Sequence, residues 1–241
     1  RDPLAHSLSN APRAFLTDFL HGFFGPDVFY YRPLVTITFQ ANWAMAGQNP
    51  FVFRLTNLLM AIATCILVYV FARRVTRSAF AAGVAGMAFA VPPSHSEAVA
   101  WVSGRTDVMS CLFTVAGLLA FTAAWERSSR FTVASAIATG LLFICALFSK
   151  ENALTLPLLA AGYVWVSGER INRKDALKWA LAFIIPFAIY FIIRRYAVHV
   201  TVVKHMSFLL GKRMLGVGIA YATYLRMLFV PLGSCVAYDV F

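Results

Sequence analysis

Charge is what this sequence lacks. Only 13% of its 241 residues are Asp, Glu, Lys or Arg, and just 10 of those are acidic; a soluble domain carries roughly 25%. With 60% hydrophobic residues and a mean hydropathy of +0.72, the shortage excludes an ordinary water-soluble globule. Apolar–polar alternation is missing too, since the apolar residues run in long blocks. Cysteine is scarce: four, widely separated, with Cys65, Cys111 and Cys145 inside apolar runs. That spacing suits small packing residues and no metal set. His95 has no second histidine at ligand spacing, so no structural metal is expected. There is no heptad pattern, tandem repeat or low-complexity tract, so the chain is read as one domain, 1–241. The remaining class is an all-α integral membrane protein, because helices satisfy their own backbone groups in lipid.

Seven transmembrane helices are expected: residues 51–72, 79–91, 108–125, 131–148, 153–167, 177–193 and 214–232. Pro157 is a candidate kink in the fifth. The 79–91 segment is rich in Gly and Ala, which lets helix backbones approach closely. Residues 1–49 read as a loop with short interfacial helices, one over 34–48 where Gln40 and Asn42 interrupt the apolar run; the bundle occupies 50–241. The chain starts at Arg1 without methionine and ends at Phe241 straight after an apolar run, as expected of a piece truncated at both ends.

The net charge of +11 belongs with membrane orientation, and no nucleic-acid partner is expected. Arg73, Arg74 and Arg77 follow the first span, Arg127 and Arg130 the third, and Arg170, Arg173, Lys174 and Lys178 the fifth. Basic connections face the cytoplasm. The alternate connections then share the outer side: the N-terminal segment, residues 92–107 and the turn at 149–152. One connection breaks the rule. Residues 194–213 should face outward yet carry Arg194, Arg195, Lys204, Lys212 and Arg213. Either the span count slips there, or that surface binds something anionic.

The outer connections hold the polar residues that need explaining. "PPSHSEAVAWVSGRTD" places His95, Glu97, Arg105 and Asp107 within sixteen residues. Ser94 or Ser96 could cap a helix starting at Glu97, and Asp107 could cap the third span. Glu97, Trp101 and Arg105 are four apart and would share a helix face. Gly104 would allow close approach. The stretch reads equally as a capped, salt-bridged turn or as a ligand site. Arg32 alone could be a headgroup anchor, and Lys150–Glu151 a boundary ion pair of small worth. Together on one side, cations beside carboxylates suit a phosphate-bearing lipid ligand.

"YYRPLVTITFQANWAMAGQNPFVFRLTNLLM", "FAVPPSHSEAVAWVSGRTD", "SKENALTLPLL" and "YATYLRMLFVPLGSCVAYD" occur in that order. They resemble the membrane part of the transmembrane and tetratricopeptide-repeat O-mannosyltransferases and their bacterial relatives, over roughly Ser7 to Asp239. That resemblance implies a polytopic GT-C-type bundle and transfer of a sugar, typically mannose, from a polyprenyl phosphate. The acceptor would be a Ser or Thr hydroxyl of an exported protein, with inversion at the anomeric carbon. It implies no cofactor, and an active face that is periplasmic, extracellular or in the lumen of the endoplasmic reticulum. Arg32, Arg105 and Lys150 become candidates to neutralise the donor phosphate. Glu97, Asp107 and Glu151 would orient these cations or the sugar hydroxyls, and His95 could donate to phosphate or sugar.

The chain departs from the family pattern. Pro92 stands at a usual histidine, and Arg54 and Ala61 replace two histidines that flank Asn57. The acidic pair that supplies the base is expected upstream of Arg1, Asp2 being the nearest candidate in this chain. Tetratricopeptide repeats are expected beyond Phe241. Two rival readings are a transporter or flippase for a lipid-linked sugar, and a non-catalytic scaffold of the same fold. The former calls for polar residues near mid-membrane and an internal repeat. The polar clusters here sit at span ends.

Overall fold

A computed structural model describes residues 7–17, 19, 30–92, 98–128, 132–168, 172–198, 215–219 and 222. Every regular element among the described residues is helical. The principal ones are α1 (Pro33–Ala46), α2 (Pro50–Thr76), α3 (Ala79–Ala90), α4 (Arg105–Ser128), α5 (Val133–Leu147), α6 (Thr155–Ser167) and α7 (Arg173–Ala197). A single helical turn, Ala11–Ala14, precedes them.

Local chemistry sets the boundaries. Pro33 and Pro50 occupy first-turn positions of α1 and α2, where a missing N–H costs nothing. Asn49, Ser78, Thr132 and Asn172 cap α2, α3, α5 and α7, each side chain accepting from backbone N–H groups one turn on. Gly47, at φ +56°, ends α1 in a conformation open to glycine. Arg77 takes the left-handed conformation at the end of α2.

Three helices are long and apolar enough to cross a membrane: Pro50–Thr76, Val102–Trp125 and Arg173–Ala197. Ala79–Ala90 and Val133–Leu147 are apolar but shorter. At about 1.5 Å per residue, a twelve-residue α3 spans about 18 Å of a roughly 30 Å hydrocarbon layer. Seven full spans are therefore not reached by the described residues, and most of the expected seventh lies outside them.

In the bundle, α4 packs against α2, α5 and α6, while α7 packs against α5 and α3 against α2. Two aromatic clusters form the interior. One gathers Tyr31, Leu118, Phe143, Leu147, Phe148, Leu156 and Tyr190; the other joins Phe121, Trp125 and Trp179. Much of the outer surface of α2, α3 and α7 is large and apolar, as with Phe80, Ile66 and Ile185. In water such a surface would be a liability, whereas against lipid it is the ordinary face.

The two prolines differ in effect. Pro157 falls in the first turn of α6, where no intrahelical N–H bond exists to lose, so the kink expected there has no cause. Pro186 lies inside α7 and deprives the Ala182 carbonyl of its usual donor. Gly140 of α5 approaches that same carbonyl: a Cβ there would stand 3.1 Å from Ala182 O and 3.3 Å from Pro186 Cγ. The glycine lets α5 cover the freed carbonyl.

Candidate functional site

Several polar residues of the connections expected to share a side converge on one end of the bundle. The Lys150 Nζ ion-pairs with Asp107 Oδ1, joining the α5–α6 turn to the first turn of α4. Ser110 Oγ donates to Asn152 Oδ1 at 2.8 Å, one turn along the same two elements. Arg194, near the end of α7, reaches Glu151 Oε1 at 3.9 Å. The Leu34 N–H donates to Phe148 O, bringing the start of α1, and with it Arg32, to the same place. Arg32, Asp107, Lys150 and Glu151 thus gather at one end of the bundle.

Arg194 stands at the Lys150 end, so the connection that departs from the charge rule begins beside the polar cluster; residues 199–213 lie outside the described residues.

Arg105 is placed differently from its reading as a ligand-facing cation. Its side chain is fully buried, 0% exposed. Nε donates to Asn57 Oδ1 at 2.7 Å, Nη2 to Phe53 O at 2.8 Å and Nη1 to Thr38 Oγ1 at 3.3 Å. The guanidinium also lies over the Phe39 ring, 4.5 Å from its centroid. A buried cation stands only if its donors are satisfied, and these acceptors with one aromatic face do so without a carboxylate. Arg105 therefore ties α1 and α2 to α4 from inside.

The helix face expected to carry Glu97, Trp101 and Arg105 is not formed. Trp101 has extended backbone, ψ 124°, and its side chain points outward, 57% exposed, while Arg105 points in. Gly104 does allow close approach, but of the chain to itself: a Cβ there would meet Ala98 O at 2.3 Å. Asn57 completes the fold of this segment, donating to Trp101 O at 3.2 Å. Asp107 does not cap the third span, because α4 begins two residues earlier, at Arg105; its carboxylate is free to meet Lys150.

Arg32 is only partly buried, with its guanidinium over Tyr30 at 4.6 Å and Phe19 at 5.6 Å. Beside it Tyr31 is completely buried and donates its hydroxyl to Phe15 O at 2.9 Å. Burial first, then the neighbouring Tyr190, pushes the Tyr31 phenol well above the usual tyrosine range.

Asp2, His95 and Glu97 lie outside the described residues. Cys65, Cys111 and Cys145 are free thiols. Among the described residues no group of three His, Cys, Asp or Glu could hold a metal.

Residues 32–193 match the family model described as dolichyl-phosphate-mannose-protein mannosyltransferase, and the match begins at Arg32 and takes in Asp107, Lys150 and Glu151. The chain belongs to this family. Protein O-mannosyl-transferase TMTC2 of Mus musculus is 33% identical over 149 residues, covering 61% of this chain and 18% of that protein. Protein O-mannosyl-transferase TMTC1 of Homo sapiens is 34% identical over 134 residues, 52% of this chain and 15% of its own length. Protein O-mannosyl-transferase Tmtc1 of Drosophila melanogaster is 36% identical over 129 residues, 54% of this chain and 15% of its own. The chain thus spans less than a fifth of the length of these relatives. No solved structure matches.

Three contributors were not evident as site residues in the sequence. Asn57 figured only as a family landmark, Arg194 only as one charge of a connection, and Tyr190 as a residue of an apolar span. The signal for the last two was their spacing: positions 190 and 194 share a helix face near the C-terminal end of α7.

Proposed function

We propose that the protein transfers mannose from a polyprenyl-phosphate donor to Ser or Thr hydroxyls of exported proteins, at the non-cytoplasmic face of a membrane. The observation that carries this reading is the joint placement of Arg32, the Lys150–Asp107 pair and the Glu151–Arg194 pair at one bundle end, in a chain that belongs to a mannosyltransferase family.

The chemistry asks for two things there. A carboxylate takes the acceptor hydroxyl proton as that oxygen attacks C1 from the face opposite the phosphate, which inverts the centre. The C1–O bond breaks with its electron pair going to the polyprenyl phosphate, whose growing charge needs fixed cations. Lys150 and Arg32 suit the second task. Asp107 holds Lys150 in place, and Glu151 holds Arg194. Arg105 acts behind them as a positioning residue, since its three donors fix the start of α4 from which Asp107 projects. Asp2 is this chain's candidate for the base. The apolar helix surfaces would hold the prenyl tail and so present C1 for attack.

The test uses the full-length protein in proteoliposomes with radiolabelled mannosyl polyprenyl phosphate and a Ser/Thr-containing acceptor peptide. Transfer is expected from the lipid donor and not from a nucleotide-linked mannose; the reverse preference would overturn the donor class. Sidedness is read from single cysteines introduced at Ser96 and Ser128. An impermeant reagent applied from the non-cytoplasmic side should label the first and spare the second.

A further inference from the structure

Helices α5 and α7 leave an apolar groove between them, with a volume of about 380 Å³. Its floor is the line along which the helices touch, made of the small side chains Ala136, Gly140 and Ala182 with the ring of Pro186. Exposed branched residues rise on either side: Ile137 and Leu141 from α5, Ile185 and Ile189 from α7. Lys178 is the one polar side chain among its described walls. The groove runs from Val133 and Lys178 to Ile144 and Ile189. Over that stretch α5 rises about 16 Å, about half of a roughly 30 Å hydrocarbon layer.

The mouth lies at the far end of the bundle from Lys150. Helix α5 runs from Val133 toward Lys150, and α7 runs from Arg173 to Arg194, which reaches Glu151. Three exposed cations at the start of α7, Arg173, Lys174 and Lys178, stand there with one carboxylate, Asp175. Asp175 Oδ1 holds Lys178 Nζ at 3.2 Å, and its Oδ2 accepts from Asn172 Nδ2 at 3.0 Å. The ammonium is thus held at the rim. Both helices start at this mouth, so their positive dipole ends add to its field.

A groove one leaflet long, walled by hydrocarbon and rimmed by cations, has the form of a lipid: one acyl chain within and an anionic headgroup at the mouth. A bilayer offers every groove some chain, so burying apolar surface selects nothing there. Selection comes from charge, because Lys and Arg near the surface attract anionic headgroups. A helix is about 10–12 Å across, so 16 Å of one fills roughly 1,200 Å³, more than the groove holds. A single chain lies inside it.

We propose that the α5–α7 groove binds one acyl chain of an anionic glycerophospholipid, whose phosphate is met at the mouth by Lys178 together with Arg173 and Lys174. This lipid is distinct from the sugar donor, whose phosphate belongs at the Lys150 end. The site stands whether or not the protein transfers mannose.

The experiment places the full-length protein in phosphatidylcholine vesicles with a trace of phosphatidylglycerol that carries a photoactivatable diazirine in its acyl chain. After illumination, the modified residues are located by mass spectrometry of peptides. Adducts should concentrate on Ile137, Leu141 and Ile185. Unlabelled phosphatidylglycerol should compete about tenfold better than added phosphatidylcholine of the same chains. Lys178→Gln should lower that preference about fivefold, the worth of one basic residue near an anionic surface, without moving the melting temperature. Leu141→Trp changes an exposed wall residue and lays a ring into the groove, so it should lower adduct formation with the cations intact.

Equal competition by the two lipids overturns the proposal, as does an unchanged preference in Lys178→Gln. Adducts spread evenly over the exposed faces of α2, α3 and α7 would mean ordinary bilayer contact and no site. Labelling of α2 and α3 with the groove spared would mean that a helix covers it, from a second copy or from residues 214–232 of this chain, and would also overturn it. The wild-type competition decides the case even where Leu141→Trp fails to fold.

Discussion

Arg105 Nε donates to Asn57 Oδ1 at 2.7 Å, across 48 positions of sequence, in a place no solvent reaches. The pair fixes two things at once. Arg105 anchors α4 to α2 and α1, and the Asn57 amide anchors Trp101 O. A buried cation with neutral partners makes those partners interdependent, because removing one leaves the others desolvated and unpaired.

Arg105→Ala and Asn57→Ala should each therefore lower stability by about 2–4 kcal/mol, and the double variant by much less than the two together. Thermal melts of the full-length protein in one detergent supply the double-mutant cycle. Additive losses would mean that the two residues act separately. Arg105→Lys should fail to rescue, since one ammonium cannot reach Asn57, Thr38 and Phe53 as a fork does.

Lys150 and Asp107 should behave in the opposite way. Their side chains are 29% and 45% exposed, and such pairs are worth about 0–1 kcal/mol. Lys150→Met should leave the melting temperature nearly unchanged and lower sugar transfer by about 100-fold, the scale of a lost electrostatic contact to a developing oxyanion. A parallel loss of both would make Lys150 structural and remove it from the site. Asp107→Asn keeps the shape and loosens the lysine, so its loss of transfer should be smaller.

The helices were legible because apolar runs are local features. The runs at 79–91 and 131–148 match α3 and α5 to within a residue or two. That Arg32, Asp107, Lys150 and Glu151 share one end of the bundle was also legible, since alternation of charge groups the connections. What the sequence hid was direction. The spacing of Glu97, Trp101 and Arg105 predicts one face only if the backbone stays helical, and it does not at Trp101. Nothing local marks Arg105 as buried, because its partners Thr38, Phe53 and Asn57 come from other helices. Asn57 reads as a polar defect in an apolar span until its two-sided bonding is seen.

Gly104 offers a sharp steric test. A Cβ there meets the Ala98 carbonyl oxygen at 2.3 Å, and backbone cannot yield as a side chain can. Gly104→Ala should cost about 1–3 kcal/mol and displace the 98–104 segment. Gly83→Ala, at a position with nothing within 4 Å, should instead be neutral or slightly stabilising through helix propensity. Matching melts for the two variants would contradict the close approach.

Tyr31 sets a limit at high pH. Its folded-state pKa is raised by burial and by Tyr190, so the neutral phenol is the form the fold favours. Stability from this group is complete below the unfolded value of about 10, and falls as pH rises above it, because the unfolded chain then ionises first. Melting temperature should be flat from about pH 8 to pH 9.5 and drop beyond it, provided other alkaline-titrating groups are controlled for. Tyr31→Phe is that control. It forfeits the bond to Phe15 O, about 1 kcal/mol at neutral pH, but should show a shallower alkaline decline. Identical declines in the two proteins would place the alkaline sensitivity elsewhere and leave Tyr31 as a packing residue beside Arg32.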